Sequence, residues 1–274
     1  MRKLFATAAL VLPLLAASAA VAPVLADSGH GPKLLPARFS FEGPFGTIDR
    51  AAAQRGFQIY NEFCSTCHSM SLLYYRNLQD LGLSEGAVKG IAAEKQIDDI
   101  NDKGEPYQRP GKPSDRFKKA FPNDAAAAAL HGVVPPDLSL IIKARPNGAR
   151  YVFSLLQGYE EFDKLTDQQK KEYGLAKDYK LEEGKQHFNK YFHPGPEGYK
   201  IAMIKPLNDG QFTFVDGAKN DIPSMARDMV TFLAWAAEPH MEARKRTGVR
   251  VVLFLLVFAG LMYAVKRKVW AAAH

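Results

Sequence analysis

Apolar residues recur at helical spacing in two stretches, one in the first quarter of the chain and one near its end. In the first, Asp49 is placed to cap a helix that continues past residue 60. In the second, a helix begins near Ile222 and stops before Pro239. The apolar stripes consist of Ala53, Phe57, Tyr60 and Cys64 in the first helix, and of Met225, Met229, Phe232, Leu233 and Ala236 in the second. Each pattern therefore predicts a helix with one buried face.

Between these helices the chain is broken by glycine and proline, which predicts short helices joined by long loops. Residues 81–124 are polar and irregular, whereas residues 125–130 and 151–157 favour short helices. The lysine- and glutamate-rich stretch 160–190 is typical of a solvated surface segment, and residues 191–206 are typical of a loop. Because no alternating strand pattern of useful length appears, the expected fold is mainly α.

A short apolar run at the start of the chain predicts a cleaved export signal, residues 1–26. It begins with Arg2 and Lys3, continues through an uncharged apolar segment and reaches Ala26, where small residues suit a signal peptidase. The alternative is an uncleaved membrane anchor. Cleavage would leave residues 27–243 as the exported domain.

A second apolar run predicts a membrane anchor. Residues 251–265 carry no charge, but a helix of that length rises only about 22 Å, less than the roughly 30 Å hydrocarbon core. The span 247–265 is long enough if Arg250 extends its side chain to the headgroups. A buried core helix is the alternative. Since the signal exports the domain, residues 266–274 are expected to be a cytoplasmic tail, with the domain on the periplasmic side of a bacterial inner membrane.

The positive net charge comes from basic residues in the predicted export signal and on both sides of the predicted membrane span. The formal net charge is +7, from 36 basic and 29 acidic residues. Nine of the basic residues lie in the signal or beside the span, which leaves 27 basic against 29 acidic residues in the exported domain. The cations beside the span are Arg244, Lys245, Arg246, Arg250, Lys266, Arg267 and Lys268. We therefore expect this chain to contact membrane lipid and not nucleic acid.

The strongest chemical signal is the segment Cys64-Ser-Thr-Cys67-His68, which contains both cysteines of the chain. Two thiols at this spacing can each add to a vinyl group of one porphyrin, and the imidazole that follows can bind its iron, so the motif predicts one covalently attached haem c. Three alternatives compete. A zinc site would need a second pair of ligands, a thioredoxin-like dithiol would follow a strand, and a structural disulfide across so short a loop would add little stability.

The iron would need a second axial ligand opposite His68, and a methionine there would raise the reduction potential. Met203 is the favoured candidate because it lies in a loop far enough along the chain to fold back over the ring. Met225 and Met229 instead fit a helical stripe, where filling the core is the expected role. The other residues that could bind the iron are His131, His187, His193 and His240, which are otherwise expected to be ordinary surface histidines.

A ligating imidazole also needs an acceptor for its other ring nitrogen. The turn at residues 134–136 is expected to supply it, as a backbone carbonyl. Haem propionates require cations and hydroxyl groups, and Arg145 and Tyr151 follow this turn closely. Plain solvation is the alternative role for Arg145.

From residue 39 to residue 270 the sequence resembles the cytochrome c1 family, the haem subunits of quinol–cytochrome c oxidoreductase (bc1) complexes. The resemblance rests on the segments GPFGTIDRAAAQRGFQIYNEFCSTCHSM, YRNL, RPGKPSDRF, PPDLSLIIKAR, YVFSLLQGY, AMIKPL and DMVTFLAWAAEP, followed by a basic stretch and the apolar run. It implies a mainly α, cytochrome c-like haem domain with long loops and one C-terminal transmembrane helix. It also implies thioether links at Cys64 and Cys67, iron ligation by His68 and Met203, haem packing by Pro135 and Pro136, and propionate contacts near Arg145 and Tyr151.

The resemblance further implies a role in electron transfer. Such a chain is not an enzyme on its own; it would pass single electrons from a Rieske iron–sulfur protein to a soluble cytochrome c, beside cytochrome b in the membrane. The alternatives are a free-standing tethered cytochrome c that feeds a terminal oxidase, a haem enzyme with an open sixth position, and a haem sensor. Two features differ from what the resemblance leads us to expect. The segment 160–190 is longer and more charged, and the chain has no further cysteine for the extra disulfide found in some bacterial relatives.

Overall fold

The computed structural model describes residues 33–271. The predicted export signal and the last three residues of the predicted tail lie outside this range. In chain order the helices are α1 (Arg50–Glu62), α2 (Glu85–Ala93), α3 (Asp124–His131), α4 (Ile141–Ala144), α5 (Gly148–Gln157), α6 (Asp167–Glu172), α7 (Ile222–Ala237) and α8 (Met241–Ala271). Short 3₁₀ helices cover Cys64–Thr66, Tyr75–Leu81 and Phe162–Lys164. The prediction of a mainly α fold with long loops is confirmed.

The two amphipathic helices predicted from the sequence, α1 and α7, pack directly on each other at the centre of the fold. Asp49 caps α1 by accepting a hydrogen bond from the amide of Ala52 at 3.1 Å. Asp221 caps α7 in the same way, through the amide of Ser224 at 2.8 Å. These caps satisfy amide groups that the first turn of a helix leaves without partners.

Helices α1 and α7 approach closely because Gly56 has no side chain. A Cβ atom at position 56 would collide with the backbone carbonyl of Asp228 and with the Cβ of Phe232. Beside this contact, the guanidinium of Arg55 donates two hydrogen bonds to the buried Asp228 carboxylate, at 2.6 and 2.9 Å. The hydrogen bonds from Arg55 to Asp228 raise the pKa of the guanidinium, whereas burial raises the pKa of the Asp228 carboxyl even though Arg55 opposes that shift.

Aromatic side chains fill the core around this helix pair. Phe57 and Tyr60 of α1 contact Phe232 of α7, with ring centroids 5.7 Å apart in both cases. Phe117 stacks on Tyr60 and closes the cluster from the loop side. Helices α4 and α5 also pack on α7. Met225 and Met229 are buried in this core, as their place in the helical stripe predicted.

The expectation that residues 160–190 form only a solvated surface segment is wrong. Leu165, Tyr179, Phe188 and Tyr199 form a second buried cluster, separate from the main core. Two strands beside it, β3 (His187–Phe188) and β4 (Lys200–Ile201), pair antiparallel. Lysine and glutamate side chains cover the outside of this cluster, which is why the stretch looks solvated in sequence.

The sequence shows no alternating strand pattern of useful length, and the structure nevertheless contains a short hairpin. Strand β1 (Gln96–Ile100) pairs antiparallel with β2 (Pro106–Pro110), from Gln96 opposite Pro110 to Ile100 opposite Pro106. Nearly all residues of this hairpin are exposed or half-buried, so it lacks the alternation of apolar and polar residues that marks a strand with one buried face. Arg109 stabilises it through ion pairs with Asp99 and Asp115 at 2.5 and 2.6 Å.

Helix α8 is the last element and contains the predicted span 247–265. Its 31 residues correspond to about 46 Å of helix. Among the described residues it is the one helix long and apolar enough to cross a membrane, and the apolar part is not buried against the rest of the protein. The alternative of a buried core helix is therefore wrong.

Glu238 connects the globular part to α8. It lies between α7 and α8, forms an ion pair with Lys143 of α4 at 3.0 Å, and accepts a short hydrogen bond from Arg244 of α8. The hydrogen bond from Arg244, together with Lys143, lowers the pKa of Glu238 to about 2 even though partial burial opposes the shift.

Replacing Gly56 by alanine tests the close contact of α1 and α7. We expect Gly56→Ala to destabilise the fold by about 1–3 kcal/mol, because the added methyl group forces backbone atoms apart. Gly90→Ala is the matched control, since a Cβ in the middle of α2 meets nothing within 4 Å and should stabilise that helix by roughly 0.5–1 kcal/mol. Thermal unfolding of the two haem-loaded variants measures both effects, and equal melting temperatures would contradict the close contact.

Replacing Glu238 by glutamine tests the ion pairs at the start of α8. Because the pKa falls from 4.5 in the unfolded chain to about 2 in the fold, the stabilisation is present above pH 4.5 and is lost as the pH falls toward 2. We expect Glu238→Gln to cost roughly 1 kcal/mol at pH 7, with the difference from the unsubstituted protein shrinking below pH 4.5. Melting temperatures between pH 7 and pH 3 measure this. Glu161→Gln is the control, because Glu161 forms an exposed ion pair with Lys164. A loss of melting temperature in Glu238→Gln that does not change with pH would contradict the lowered pKa of Glu238.

Candidate functional site

The Cys64–His68 motif lies on a tight turn directly after α1. The amides of Cys67 and His68 both donate to the carbonyl of Cys64, at 3.2 and 2.8 Å. This turn gathers the two thiols and the imidazole at the end of one helix. Both cysteine side chains are half-buried and carry free thiols.

The state of the thiols argues against the competing interpretations of the motif. Burial raises the pKa of the Cys64 thiol to about 12, so the thiol is protonated at neutral pH and is not the activated nucleophile of a redox dithiol. No strand leads into the motif; it follows helix α1. Within residues 33–271, no three cysteine, histidine or carboxylate side chains lie together as a metal site would require.

The imidazole of His68 is held in one orientation by a residue 68 positions further along the chain. Its Nδ1 lies 2.8 Å from the backbone carbonyl of Pro136. A carbonyl only accepts hydrogen bonds, so Nδ1 carries the proton and Nε2 keeps its lone pair. Burial lowers the pKa of His68, which also favours the neutral ring. The predicted carbonyl acceptor in the proline turn is therefore present, and the ring has the tautomer of an iron ligand.

Asp137 holds the proline turn against the segment that follows His68. One carboxylate oxygen accepts from the amide of Ser71 and the other from the amide of Ser139, both at 2.8 Å. Burial alone would raise the pKa of Asp137, but the hydrogen bonds from Ser139 and Ser71 lower it overall. The amide of Leu138 adds a hydrogen bond to the carbonyl of Ser69 at 2.9 Å. These bonds fix the position of the Pro136 carbonyl relative to His68.

His131, expected to be an ordinary surface histidine unless it binds the iron, has a buried ring nitrogen. It ends helix α3 and packs edge to face on Phe121, with ring centroids 5.3 Å apart. Its Nε2 is buried and has no hydrogen-bond partner among the described residues. The His131 imidazole contributes to lowering the pKa of His68, after the larger effect of burial. A buried polar atom without a partner fits a site whose polar contacts are completed by a group that is not part of the polypeptide.

Met203 lies in the loop that follows β4 and is half-buried. Its backbone carbonyl accepts a hydrogen bond from the hydroxyl of Tyr159, just after α5, at 3.1 Å. Among the alternative ligands, His187 lies in strand β3, whereas His193 and His240 are exposed. The structure thus ties the Met203 loop to the segment after α5 by a side chain that sequence reasoning did not single out.

The residues expected near the propionates lie close to each other. Arg145 is exposed at the end of α4, and Tyr151 is half-buried in α5. Burial raises the pKa of Tyr151, while the charge of Arg145 partly opposes the shift, as expected for neighbouring side chains. Arg145 takes part in no ion pair within residues 33–271. Pro135 is half-buried and Pro136 is exposed.

Taken together, these residues fit a covalently attached haem. Two free thiols and a neutral imidazole with a free Nε2 lie on one turn, and the buried Nε2 of His131 has no hydrogen-bond partner among the described residues. The donor set contains one sulfur pair for the porphyrin and one nitrogen for the iron, which is the chemistry of c-type attachment.

Comparison with known proteins gives the same result. The model of the cytochrome C1 family matches residues 39–273. The chain is 44% identical to cytochrome c1 of Rhodospirillum rubrum, over 85% of this chain and 85% of that protein. It is 38% identical to the mitochondrial cytochrome c1 haem protein of Saccharomyces cerevisiae, over 93% of this chain and 78% of that protein.

One relative is much longer than this chain. Cytochrome b/c1 of Bradyrhizobium diazoefficiens is 43% identical over 86% of this chain, and the match covers 35% of that protein. The chain therefore spans about a third of the length of that relative.

Replacing Asp137 by alanine tests the support of the proline turn. We expect Asp137→Ala to destabilise the fold by about 2–4 kcal/mol, because two hydrogen bonds to a charged group are lost. The His68 Nδ1 proton should also exchange faster with solvent, which NMR detects. Asp163→Ala is the control, as that carboxylate makes no hydrogen bond within the described part of the chain, and we expect a change below about 0.5 kcal/mol. Equal stability of the two variants would show that the turn does not depend on Asp137.

Proposed function

Because the chain belongs to the cytochrome c1 family, we propose that it is the haem c subunit of a quinol–cytochrome c oxidoreductase (bc1) complex. In this proposal it passes single electrons from the Rieske iron–sulfur protein to a soluble cytochrome c. The observation that carries the proposal is the His68 imidazole, which follows a pair of haem-attachment cysteines and is held by the Pro136 carbonyl with Nε2 available to a metal.

The polypeptide would hold one haem through four side chains. Cys64 and Cys67 would form the two thioether bonds, and His68 and Met203 would be the axial ligands. The bound haem supplies a one-electron iron couple, which a methionine ligand sets at a high potential. Tyr159, by donating to the carbonyl of Met203 at 3.1 Å, would keep the methionine loop in place.

The residues around the turn would shield and orient the ring. Pro135 and Pro136 would pack on it, and Arg145 and Tyr151 would bind its propionates. Arg145 is suited to this role because none of the described carboxylates pairs with it and its guanidinium can bind a carboxylate with two hydrogen bonds. His131 Nε2 is a further polar atom that the haem or its ordered water would satisfy.

The arrangement in the membrane follows from the two apolar segments. We propose that residues 1–26 are a cleaved export signal and that residues 27–243 form the periplasmic haem domain. Residues 247–265 would cross the bacterial inner membrane beside cytochrome b, and residues 266–274 would lie in the cytoplasm. The exposed apolar surface of α8 supports the membrane anchor, because that surface has no protein partner within residues 33–271.

The charge of the exported domain supports a basic electron acceptor. Its small acidic excess would attract such a partner by electrostatic steering and still allow rapid release. The complex as a whole performs quinol oxidation; this chain makes or breaks no bond in a substrate and acts as the relay.

Replacing Met203 by leucine tests the proposed ligand. We expect the reduction potential of Met203→Leu to fall by on the order of 0.1 V or more, a fraction of the roughly 0.8 V over which axial ligands tune haem, and the absorption bands of methionine ligation to disappear. Redox titration and the absorption spectrum of the haem-loaded protein measure both effects. Met229→Leu is the control, because that methionine fills the core and its replacement should leave the potential unchanged.

Three results would contradict parts of the proposal. An unchanged spectrum and potential in Met203→Leu would remove Met203 from the iron. Carbon monoxide binding to the reduced unsubstituted protein would indicate an open sixth position and a haem enzyme. Purification of the chain without cytochrome b and a Rieske protein would favour the free-standing tethered carrier.

A further inference from the structure

The Met203 loop, residues 202–206, depends on neighbouring segments for its position. Within residues 33–271, one hydrogen bond reaches it, from the Tyr159 hydroxyl to the Met203 carbonyl at 3.1 Å. The loop begins directly after strand β4, which ends at Ile201. Its geometry is therefore set by whatever holds Tyr159 on one side and β4 on the other.

Asn189 connects these two sides. Its side chain is fully buried, at 0% exposure. The Nδ2 group donates to the carbonyl of Leu155 in the last turn of α5 at 2.8 Å, and Oδ1 accepts from the amide of Tyr191 at 3.0 Å. The backbone amide of Asn189 donates to the carbonyl of Tyr199, directly before β4, at 2.9 Å. One residue thus joins the end of α5 to the hairpin formed by β3 and β4.

Backbone contacts beside Asn189 complete the connection. Tyr159 and Asn189 form an isolated antiparallel bridge, and the amide of Lys190 donates to the carbonyl of Gly158 at 3.0 Å. Gly158 permits this close approach, because a Cβ atom there would lie 2.4 Å from Asn189 Oδ1. The segment after α5, the two strands and the Met203 loop therefore form a closed ring of contacts, in which the Tyr159 hydroxyl makes the last hydrogen bond.

The complete burial of a polar side chain favours a positioning role for Asn189. A buried amide costs free energy unless its donor and its acceptor both have partners. An apolar side chain would avoid this cost, but it could not bind the Leu155 carbonyl and the Tyr191 amide at the same time. Because hydrogen bonds are directional and apolar contacts are not, the amide fixes the position of the hairpin relative to α5.

The Tyr159 hydroxyl is able to act as the last donor of the ring. Burial raises the pKa of this hydroxyl, so it keeps its proton at neutral pH. The Met203 carbonyl can only accept, which fixes the direction of the hydrogen bond.

We propose that Asn189 is the positioning residue for the Met203 ligand, and that the segment 160–199 serves to hold the Met203 loop in place. Helix α5 packs on α7, and α7 packs on α1, which leads into the turn with His68. The position of Met203 relative to His68 is therefore transmitted through Asn189. The proposal rests on the proposed function, because it requires Met203 to be an iron ligand.

The test measures how readily imidazole displaces Met203 from the ferric iron of the full-length, haem-loaded protein. Imidazole binds only where the methionine has left, so its apparent affinity rises in proportion to the fraction of protein with a released loop. We expect Asn189→Ala to raise this affinity about tenfold and to lower the reduction potential, because methionine ligation favours a high potential. Tyr159→Phe removes a single hydrogen bond and should raise the affinity roughly threefold to fivefold.

A double variant and a matched control separate positioning from general loss of stability. Since Asn189 and Tyr159 act in one ring, combining Asn189→Ala with Tyr159→Phe should raise the affinity by much less than the product of the two single effects. Asn220→Ala is the control, because Asn220 Nδ2 donates to the Phe212 carbonyl at 3.0 Å but makes no hydrogen bond to the Met203 loop within the described part of the chain. We expect it to change the affinity by less than about twofold.

A measurement on the unsubstituted protein covers the case in which Asn189→Ala does not fold. If the Asn189 contacts stabilise the methionine-bound state, release of the methionine must weaken those contacts by the same factor. Saturating imidazole should therefore speed hydrogen exchange at the amides of Asn189 and Tyr191. Exchange at the amide of Ala52, at the start of α1, should not change.

Three results would overturn the proposal. Equal imidazole affinities of Asn189→Ala and Asn220→Ala would show a general loss of stability. Single effects that multiply in the double variant would show that Asn189 and Tyr159 act independently. Exchange at Asn189 that imidazole does not alter would separate this residue from the ligand. The Met203→Leu titration decides independently whether Met203 binds the iron, so with that ligand established a failure here concerns Asn189 alone.

Discussion

The hydrogen bond between His68 Nδ1 and the Pro136 carbonyl is the interaction on which the proposed site depends. It joins the turn after α1 to a second turn 68 residues away, so each side of the bond needs its own support. Packing of α1 on α7, permitted by Gly56, fixes the first turn. The Asp137 carboxylate, bound to the amides of Ser71 and Ser139, fixes the second. These two supports hold the two short segments in register.

Sequence reasoning found the features whose signals are local. The α1 and α7 stripes, the Asp49 cap and the Cys64–His68 motif each lie within a few residues, and tertiary packing leaves such patterns intact. The proline turn was also predictable, because a ligating imidazole needs an acceptor. The roles of Met203, Arg145 and Tyr151 stay predictions that rest on their positions in the sequence and on the family resemblance.

The features that sequence reasoning missed depend on contacts between distant residues or on apolar residues scattered among charged ones. The hairpin at residues 96–110 has no buried residue, and no apolar alternation marks its strands. The second cluster gathers single aromatic residues such as Tyr179 and Tyr199 from a stretch dominated by lysine and glutamate. His131 was expected at the surface, and only its packing on Phe121 reveals a buried nitrogen. The groups that lack partners, His131 Nε2 and Trp235 Nε1, could be found only from coordinates, because the absence of a contact leaves no trace in sequence.

The hydrogen-bond acceptor of His68 Nδ1 is a backbone carbonyl and not a carboxylate, which affects whether the ring can lose its proton. A carboxylate in the same place could take the ring proton, so that a change of iron oxidation state would draw the proton back and forth. A peptide carbonyl is far too weak a base to do this, so the imidazole would keep the same protonation in both redox states. In the proposed function, electron transfer through His68 would therefore not be coupled to proton transfer at this residue.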